Sequence, residues 1–469
     1  MQTQCSGQAF LFPAENSRQI VAKFDGGAIT SDAGGLLLRP VERAVGVIRQ
    51  FSRCFVDHRA GELIEHPLEE LVAQRVYGLA LGYEDLNDHD ELRHDPLLAV
   101  LVGKREPTGR DRRRKRDRGK ALAGKSTLNR LELTPVGADA DSRYKKMVLH
   151  AREAEMVFTD LFVQAHREPP QQIVLDLDAT DDPIHGHQLG RFFHGYYDNY
   201  CYLPLYIFCG EHLVGARLRP SNIDASAGSV EELERIVGQI RQRWPQVKIL
   251  IRADSGFCRE AIMAWCEGHE EIYYVLGLAR NERLEKELQP ALGEARGLYE
   301  HTHKAARVFH EFAYRTRTSW SRARRVIGKA EVLALGDNPR FIVTNLRVEQ
   351  QAGQPLYEQV YCARGDMENR IKEQQLALFA DRTSTATLRA NQLRLYFSSI
   401  AYTLLLGLRR LGLAGTELAR AQCQTIRLKL LKIGAQVRVT VRKVWVSFSS
   451  AYAHRQTFVQ AYHHLAAAP

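Results

Sequence analysis

The chain has 469 residues and carries 65 Lys and Arg side chains against 55 Asp and Glu, a formal net charge of +10. Hydrophobic residues make up 45% and charged residues 26%, which excludes global disorder because a large core can be buried. Three basic segments, 104–120, 304–329 and 409–443, together carry +22 and leave −12 for the rest of the chain. This distribution predicts contact with a polyanion at several points.

Local composition argues against secretion and against a membrane span. Residues 1–10 have neither a positive start nor an apolar stretch, so no signal peptide is expected there. The longest apolar run, 397–408, is shorter than the roughly twenty residues that a span needs, and it predicts a buried helix. The eight cysteines include no C-x-x-C pair, which predicts reduced thiols in a cytoplasmic protein.

The first third of the chain is predicted to be mainly helical. Apolar residues at helical spacing predict helices over 33–50, 68–81 and 145–166. The basic, weakly apolar stretch before the last of these separates a helical N-terminal domain, 1–103, from a basic linker with helices, 104–168.

Strand spacing replaces helical spacing in the middle of the chain. The order β-β-β-α-β-α-β predicts a mixed α/β core, of which 169–289 is the first part. Alternating segments with turn residues between them predict an antiparallel β-rich insertion over 290–355. Helical spacing then predicts the second part of the core, 356–395, and a mostly helical C-terminal region, 396–469.

Three aspartates stand on or after predicted buried strands. Asp176 and Asp178 alternate onto one face of a strand, where a carboxylate is costly unless it binds a cation. Asp254 follows a second strand, at the end where α/β sheets place their sites. A strand-end turn or a helix cap is the alternative role for each of them.

A polar stripe runs along a later predicted helix. Offsets of 3, 4 and 4 place Tyr361, Arg364, Glu368 and Lys372 on one helical face. A solvated ladder of ion pairs is the common alternative for such a stripe. Because the segment leads directly into apolar residues, partial burial is expected here.

These motifs resemble those of the DDE transposases of bacterial insertion sequences. The resemblance rests on D-x-T at Asp178, A-D-S-G-F around Asp254, and Y-x-x-R-x-x-x-E from Tyr361 to Glu368. It is strongest to the cut-and-paste branch with a β-rich insertion in the catalytic domain, in the group named for insertion sequence 1380. Supporting strings occur at 26–35, 82–88 and 125–132, so the resemblance spans nearly the whole chain.

The resemblance implies a ribonuclease-H-like mixed-sheet core, interrupted by the antiparallel insertion, that cleaves DNA ends and joins them to target DNA. It implies that Asp178, Asp254 and Glu368 hold two Mg²⁺ ions, for which Mn²⁺ can substitute, with Asp176 as the fallback ligand. Carboxylate oxygens suit Mg²⁺, and two metals can stabilise both the attacking and the leaving oxygen. The implied partner is double-stranded DNA, as terminal inverted repeats and as target, bound by a homodimer in the cytoplasm at the nucleoid. The resemblance also implies that the N-terminal domain, 1–103, binds DNA and that the C-terminal region, 396–469, serves DNA binding or dimerisation.

One position departs from the branch's usual pattern. The branch carries Lys seven residues after the glutamate, where this chain has Gln375. Lys372, one helical turn after Glu368, is therefore the expected DNA-contacting lysine. For Trp320, stacking on an unpaired base and burial in the core are equal alternatives. The residues expected to contact DNA are Tyr361, Arg364, Lys372, Trp320, Arg322, Arg324, Arg325, Arg113, Arg114, Lys115 and Lys125.

Two further motifs suggest other functions. Residues 119–127 match the Walker A phosphate loop, but basic residues precede them instead of the buried strand that such a loop requires. A P-loop ATPase is therefore a minor alternative. His185 and His187 with Cys201 or Cys209 lack the usual spacing of a zinc site. A non-catalytic DNA-binding regulator is the other alternative, and it leaves the acids at the strand ends unexplained.

Overall fold

A computed structural model describes residues 9–15 and 18–468. Most of segment 1–10, where no signal peptide is expected, lies outside the described residues. The chain divides into two compact units, one that combines residues up to Val148 with those from Ile400 onward, and one over Leu149–Ser399. Among the described residues, no helix combines the length and apolar character needed to cross a membrane.

The strands are numbered in chain order. They are β1 (Phe10–Glu15), β2 (Arg18–Ala22), β3 (Ile29–Thr30), β4 (Phe55–Asp57), β5 (Met147–Leu149), β6 (Gln172–Ala179), β7 (Asp182–Pro183), β8 (Phe192–His194), β9 (Asn199–Tyr202), β10 (Leu205–Cys209), β11 (His212–Arg217), β12 (Lys248–Ala253), β13 (Ile272–Leu278), β14 (Ala306–Tyr314), β15 (Arg324–Leu333), β16 (Gly336–Asp337), β17 (Arg340–Thr344), β18 (Ala435–Val439) and β19 (Val444–Phe448).

The α-helices are α1 (Leu38–Val45), α2 (Val47–Ser52), α3 (Leu68–Leu81), α4 (His89–Leu92), α5 (Pro96–Val102), α6 (Lys125–Glu132), α7 (Ala151–Gln164), α8 (Ser229–Arg243), α9 (Glu260–Glu267), α10 (Glu282–Thr302), α11 (Gly353–Pro355), α12 (Gly365–Lys372), α13 (Leu388–Gly407), α14 (Cys423–Ile426) and α15 (Arg455–Ala467). Turns of π-helix occur at Leu356–Tyr361, Glu373–Ala377, Leu408–Gly412 and Arg427–Leu431.

The unit over Leu149–Ser399 is built on a nine-stranded mixed sheet. Its order is β11-β10-β6-β12-β13-β17-β15-β14, with β16 paired to β15. The pairs β6–β12 and β12–β13 are parallel, whereas β10 and β17 pair antiparallel to β6 and β13. Within this sheet the predicted order β-β-β-α-β-α-β is met by β6, β10, β11, α8, β12, α9 and β13, while the short strands β7, β8 and β9 form a separate sheet between β6 and β10 in the chain. The four later strands, β14 to β17, extend this same sheet, because β17 pairs directly with β13.

Alternation along β6 separates a hydrophobic face from an acidic one. Leu175 and Leu177 are fully buried in a core with side chains of α8 and α10. The alternate residues Asp176 and Asp178 lie on the opposite face, as the period of two requires. That face is covered by the helical segment that begins at α11, whose Leu356 and Tyr357 pack with residues of β12 and β13.

In the other unit, the predicted helix over 68–81 is confirmed as α3, which follows Pro67. The predicted helix over 33–50 is instead broken between α1 and α2. Gly46 adopts a left-handed conformation at φ 68°, which glycine tolerates best, and ends α1 there. The Glu42 carboxylate then accepts hydrogen bonds from the backbone N–H groups of Ile48 and Arg49, which caps α2.

Candidate active site

The register of two parallel strands brings two of the predicted acids together. In the β6–β12 ladder, Arg252 stands beside Asp176 and Ala253 beside Leu177. Continuing that register by one residue places Asp254 beside Asp178, on the same face of the sheet. Asp254 is held there because its side chain accepts a hydrogen bond from the Gly256 N–H at 2.8 Å.

The third predicted acid is joined to this pair through an arginine. Glu368 lies on α12, one helical turn after Arg364, and its Oε1 accepts a hydrogen bond from Arg364 Nη2 at 3.0 Å. Nη1 of the same guanidinium lies 3.3 Å from Asp178 Oδ2. A single cation therefore bridges a carboxylate of the sheet and a carboxylate of the helix.

The site carries an excess of negative charge around Asp178. Burial raises the pKa of Asp178 from its ordinary 3.8 to about 6, against the opposing effect of Arg364. The carboxylates of Asp254 and Glu368 add to the rise. Burial lowers the pKa of Arg364, but Asp178, Tyr361 and Glu368 outweigh it and raise that pKa above its usual value. A second cation would be bound favourably by this group of acids.

Asp176, the predicted fallback ligand, has a different partner. Its two carboxylate oxygens lie 2.5 and 2.7 Å from Nε and Nη2 of Arg252, in a buried bidentate ion pair. Arg252 Nη1 also donates to the backbone carbonyl of Val360, and so ties β12 to the helical segment. The pair therefore fixes the segment that carries Tyr361, Arg364 and Glu368 over the sheet.

A glycine allows the tyrosine of the motif to approach the sheet. A Cβ atom added to Gly277 of β13 would lie 2.5 Å from Tyr361 Oη and 2.9 Å from the Ser255 nitrogen. Tyr361 ends a π-helical turn, and burial raises the pKa of its hydroxyl. Sequence reasoning missed Gly277 and Arg252, because neither belongs to a recognisable motif and both act through strand register.

The two candidates for the DNA-contacting lysine position differ in environment. Lys372 is exposed at the end of α12. Gln375 is half-buried and donates hydrogen bonds to the Asp181 carbonyl at 3.0 Å and to Asp182 Oδ1 at 2.9 Å. Gln375 therefore holds the chain that leaves β6 just beyond Asp178.

The predicted DNA contacts of the second basic segment differ in how far their side chains are exposed. Trp320 is 4% exposed and packs edge-on against Tyr314, with the Arg324 guanidinium 5.4 Å from its ring centre. Arg324 is buried between Glu260 and Glu267, and Arg325 is paired with Glu311 at 2.6 Å. Of these four predicted contacts, Arg322 has a side chain that is mostly exposed to solvent.

The predicted contacts of the first basic segment lie at the surface. Arg113, Arg114 and Lys115 are exposed, and Arg113 donates to the Glu62 carbonyl. Lys125 is exposed at the start of α6, 3.5 Å from Asp90. Residues 104–124 are all described and contain no strand, so the Walker A match lacks the buried strand that a phosphate loop needs.

Comparison with known protein families places the whole chain in one of them. The chain matches the family model described as transposase DDE domain, group 1, over residues 12–469. It belongs to the DDE transposase family. No curated protein matches the chain. Membership of the family implies DNA as the partner of this transposase, and DDE transposases typically use divalent metals.

The donor set of this DDE transposase fits such a metal in its chemistry. Among residues 9–15 and 18–468, no three His, Cys, Asp or Glu side chains are grouped closely enough to hold a metal ion as they stand. The guanidinium of Arg364 lies between two of the acids and already acts as their cation. All three candidate ligands are carboxylates, the hard oxygen donors that Mg²⁺ prefers.

Proposed function

We propose that this protein is a cut-and-paste transposase of the group named for insertion sequence 1380. It binds the terminal inverted repeats of its element as a homodimer, cleaves the DNA ends and joins them to target DNA. The proposal includes a ribonuclease-H-like catalytic core, supported by the order β-β-β-α-β-α-β in the mixed sheet. It also includes action in the cytoplasm, at the nucleoid.

One observation carries the proposal. Asp254 follows the last paired residue of the β6–β12 ladder and continues its register beside Asp178, and Arg364 links Glu368 to Asp178. Two acids of the sheet and one acid of α12, far apart in the sequence, thus lie together in a chain of the DDE transposase family. Helix-surface ion pairing alone does not account for Asp254, which follows strand β12 of the sheet.

The proposed roles follow from how each acid is held. Asp178 and Asp254 are fixed by the strand and by the Gly256 N–H, so they form the rigid part of the ligand set, and Asp178 is the shared ligand. Glu368 is half-exposed on α12 and is free to turn toward either of them. Two Mg²⁺ ions, or Mn²⁺ in their place, would activate water and stabilise the attacking and leaving oxygens. Arg364 neutralises the acids before loading and then turns toward phosphate, which its planar fork suits.

The DNA contacts of the proposal are the exposed cations. Lys372 lies near the acids on α12, and Arg322, Arg113, Arg114 and Lys115 lie in the two basic segments. Lys125 is exposed at the start of α6. Phosphate contacts of this kind fix the position of the DNA without reading its sequence.

Substitution of each acid by its amide tests the active site. Asp178→Asn, Asp254→Asn and Glu368→Gln should each abolish metal-dependent cleavage of DNA that carries the element's ends, while binding of the same DNA persists. Asp366→Asn is the matched control, because Asp366 is an exposed carboxylate on the same helix. Full cleavage by Asp254→Asn would refute the assignment.

Cleavage assays on the wild-type protein and the DNA sequence beside its gene distinguish the remaining alternative functions. A protein that binds the ends but never cleaves them with Mg²⁺ or Mn²⁺ would be a DNA-binding regulator. Matched inverted repeats beside the gene, bounded by a short direct duplication, would support the cut-and-paste assignment. Their absence around every copy of the gene would contradict it.

A further inference from the structure

The third basic segment is divided by the fold into buried and exposed parts. Arg409 and Arg427 are buried, at 2% and 4% exposure, and Lys432 is paired with Asp32 at 2.7 Å. Among the exposed cations of this segment, Arg410, Arg420 and Lys429 lie before residue 435, whereas Arg438, Arg442 and Lys443 all belong to one β-hairpin. We define the β-arm as this hairpin, residues 435–448, formed by β18, β19 and the turn between them. Its base is joined to β3, where Ala435 and Gln436 pair with 29–30, and the described ladder from Arg438 to the turn contains β18 and β19 alone.

The two faces of the β-arm differ in chemistry. Ala435 and Val437 are buried in a small core with Ala33, Leu97 and Ile433. The opposite face is exposed and carries Gln436, Arg438, Trp445 and Ser447. Arg438 pairs across the strands with Trp445 and lies 5.8 Å from its ring centre, while Lys443 lies 5.4 Å from the same ring. The core thus anchors one face and leaves an aromatic, cationic face in solvent.

The tip of the β-arm is ordered, and it projects an apolar side chain. The Thr440 N–H and hydroxyl both donate to the Lys443 carbonyl, at 2.8 and 2.7 Å, and the Lys443 N–H donates back to the hydroxyl. This closed turn holds Val441 fully exposed, beside Arg442. An apolar residue displayed between cations on a rigid turn is suited to a partner that is both anionic and, in part, apolar.

The positive charge of the β-arm indicates which partner it binds. The β-arm contains three cations and no acidic residue, and no acidic residue follows Glu417 anywhere in the sequence. A two-stranded ribbon fits the major groove of double-stranded DNA, where apolar side chains contact the methyl group of thymine. A second copy of this chain would bring the same positive charge, which opposes pairing of the two hairpins.

We propose that the β-arm is a DNA-binding element that enters the major groove. Arg438, Arg442 and Lys443 contact phosphates, Trp445 packs along the backbone, and Val441 contacts base edges at the tip. The inference rests on the proposed function only in taking double-stranded DNA as the partner. Binding by the β-arm requires none of the three acids, so its failure and the failure of the active-site assignment are distinguishable.

The test compares two charge-matched double variants of the full chain, Arg442→Ala/Lys443→Ala and Arg280→Ala/Lys286→Ala. All four residues are exposed, and the control pair lies outside the three basic segments. Binding to a labelled duplex of mixed sequence is measured against salt, with melting temperature as the check on folding. The β-arm variant should lose affinity about tenfold or more and reduce the slope of log K against log salt by about 2. The control variant should change neither.

A third variant separates base contacts from charge. Val441→Ala should leave the salt slope unchanged and reduce the preference for duplexes with a thymine in the contacted step over duplexes without one. Equal loss of affinity in both charge variants would overturn the proposal. So would unchanged DNA affinity accompanied by loss of dimer in sedimentation, which would make the β-arm a contact between copies.

Discussion

Two arginines of the second basic segment should have opposite roles, although the sequence makes them look alike. Arg322 and Arg324 both reach Glu267, at 3.4 and 2.6 Å. The Arg324 side chain is 2% exposed and also binds Glu260 at 2.7 Å, whereas the Arg322 side chain is 66% exposed. We therefore expect Arg324 to stabilise the fold and Arg322 to be available to DNA.

The expected change in the free energy of unfolding depends on which groups remain after each substitution. Arg324→Met fills the space with an apolar chain and leaves Glu267 buried, still bound by the Tyr274 hydroxyl at 2.9 Å. Loss of one partner of a buried pair costs about 3–5 kcal/mol, and the remaining Tyr274 hydrogen bond and Arg322 ion pair of Glu267 favour the lower end, about 3 kcal/mol. Arg322→Ala removes an exposed pair, which is worth about 0–1 kcal/mol.

Urea unfolding and DNA titration against salt measure the two roles. Arg324→Met should lower the free energy of unfolding and leave the salt slope unchanged, whereas Arg322→Ala should lower the slope by about 1 with little loss of stability. The pH dependence is a second check, because the hydrogen bond from Arg324 is the main cause that lowers the pKa of Glu260 from 4.5 to about 2. Stability from a lowered carboxyl pKa is present above pH 4.5 and lost toward pH 2, so the variant's deficit should shrink over that window. Equal destabilisation by both substitutions would refute the reasoning.

Two further predictions concern the acid Asp178 and the helical residues Gln375 and Lys372. Asp178→Asn should stabilise the metal-free protein at pH 7 by up to about 3 kcal/mol, because a pKa raised by about 2 makes ionisation unfavourable in the folded state. That gain should fall below about 1 kcal/mol at pH 4, close to the ordinary pKa of 3.8, when thermal unfolding is followed in EDTA; an undiminished gain there would contradict the charge explanation. Gln375→Ala should destabilise by about 1–3 kcal/mol through loss of its bonds to Asp181 and Asp182, whereas Lys372→Ala should weaken DNA binding alone. The reverse pattern in unfolding and binding assays would assign the DNA-contacting role to Gln375.

Much of the fold was accessible from residue spacing. The period of apolar residues predicted α3 and the order of the elements from β6 to β13, because each element must bury one face or one stripe. The same spacing did not show the break at Gly46, where the chain is apolar on both sides and only the backbone conformation separates α1 from α2.

The sequence by itself determined which residue types were present for chemistry: acids on buried strands, a polar stripe on a helix and three basic segments. Tertiary structure alone decided how they are used. Strand register places Asp254 beside Asp178, and it places Arg252 beside Asp176, where the two form an ion pair. Arg324 is buried in its ion pair with Glu267 and is not at the surface. The physical reason is that periodicity is a local property, whereas register, ion pairing and exposure depend on which distant residues the fold brings into contact.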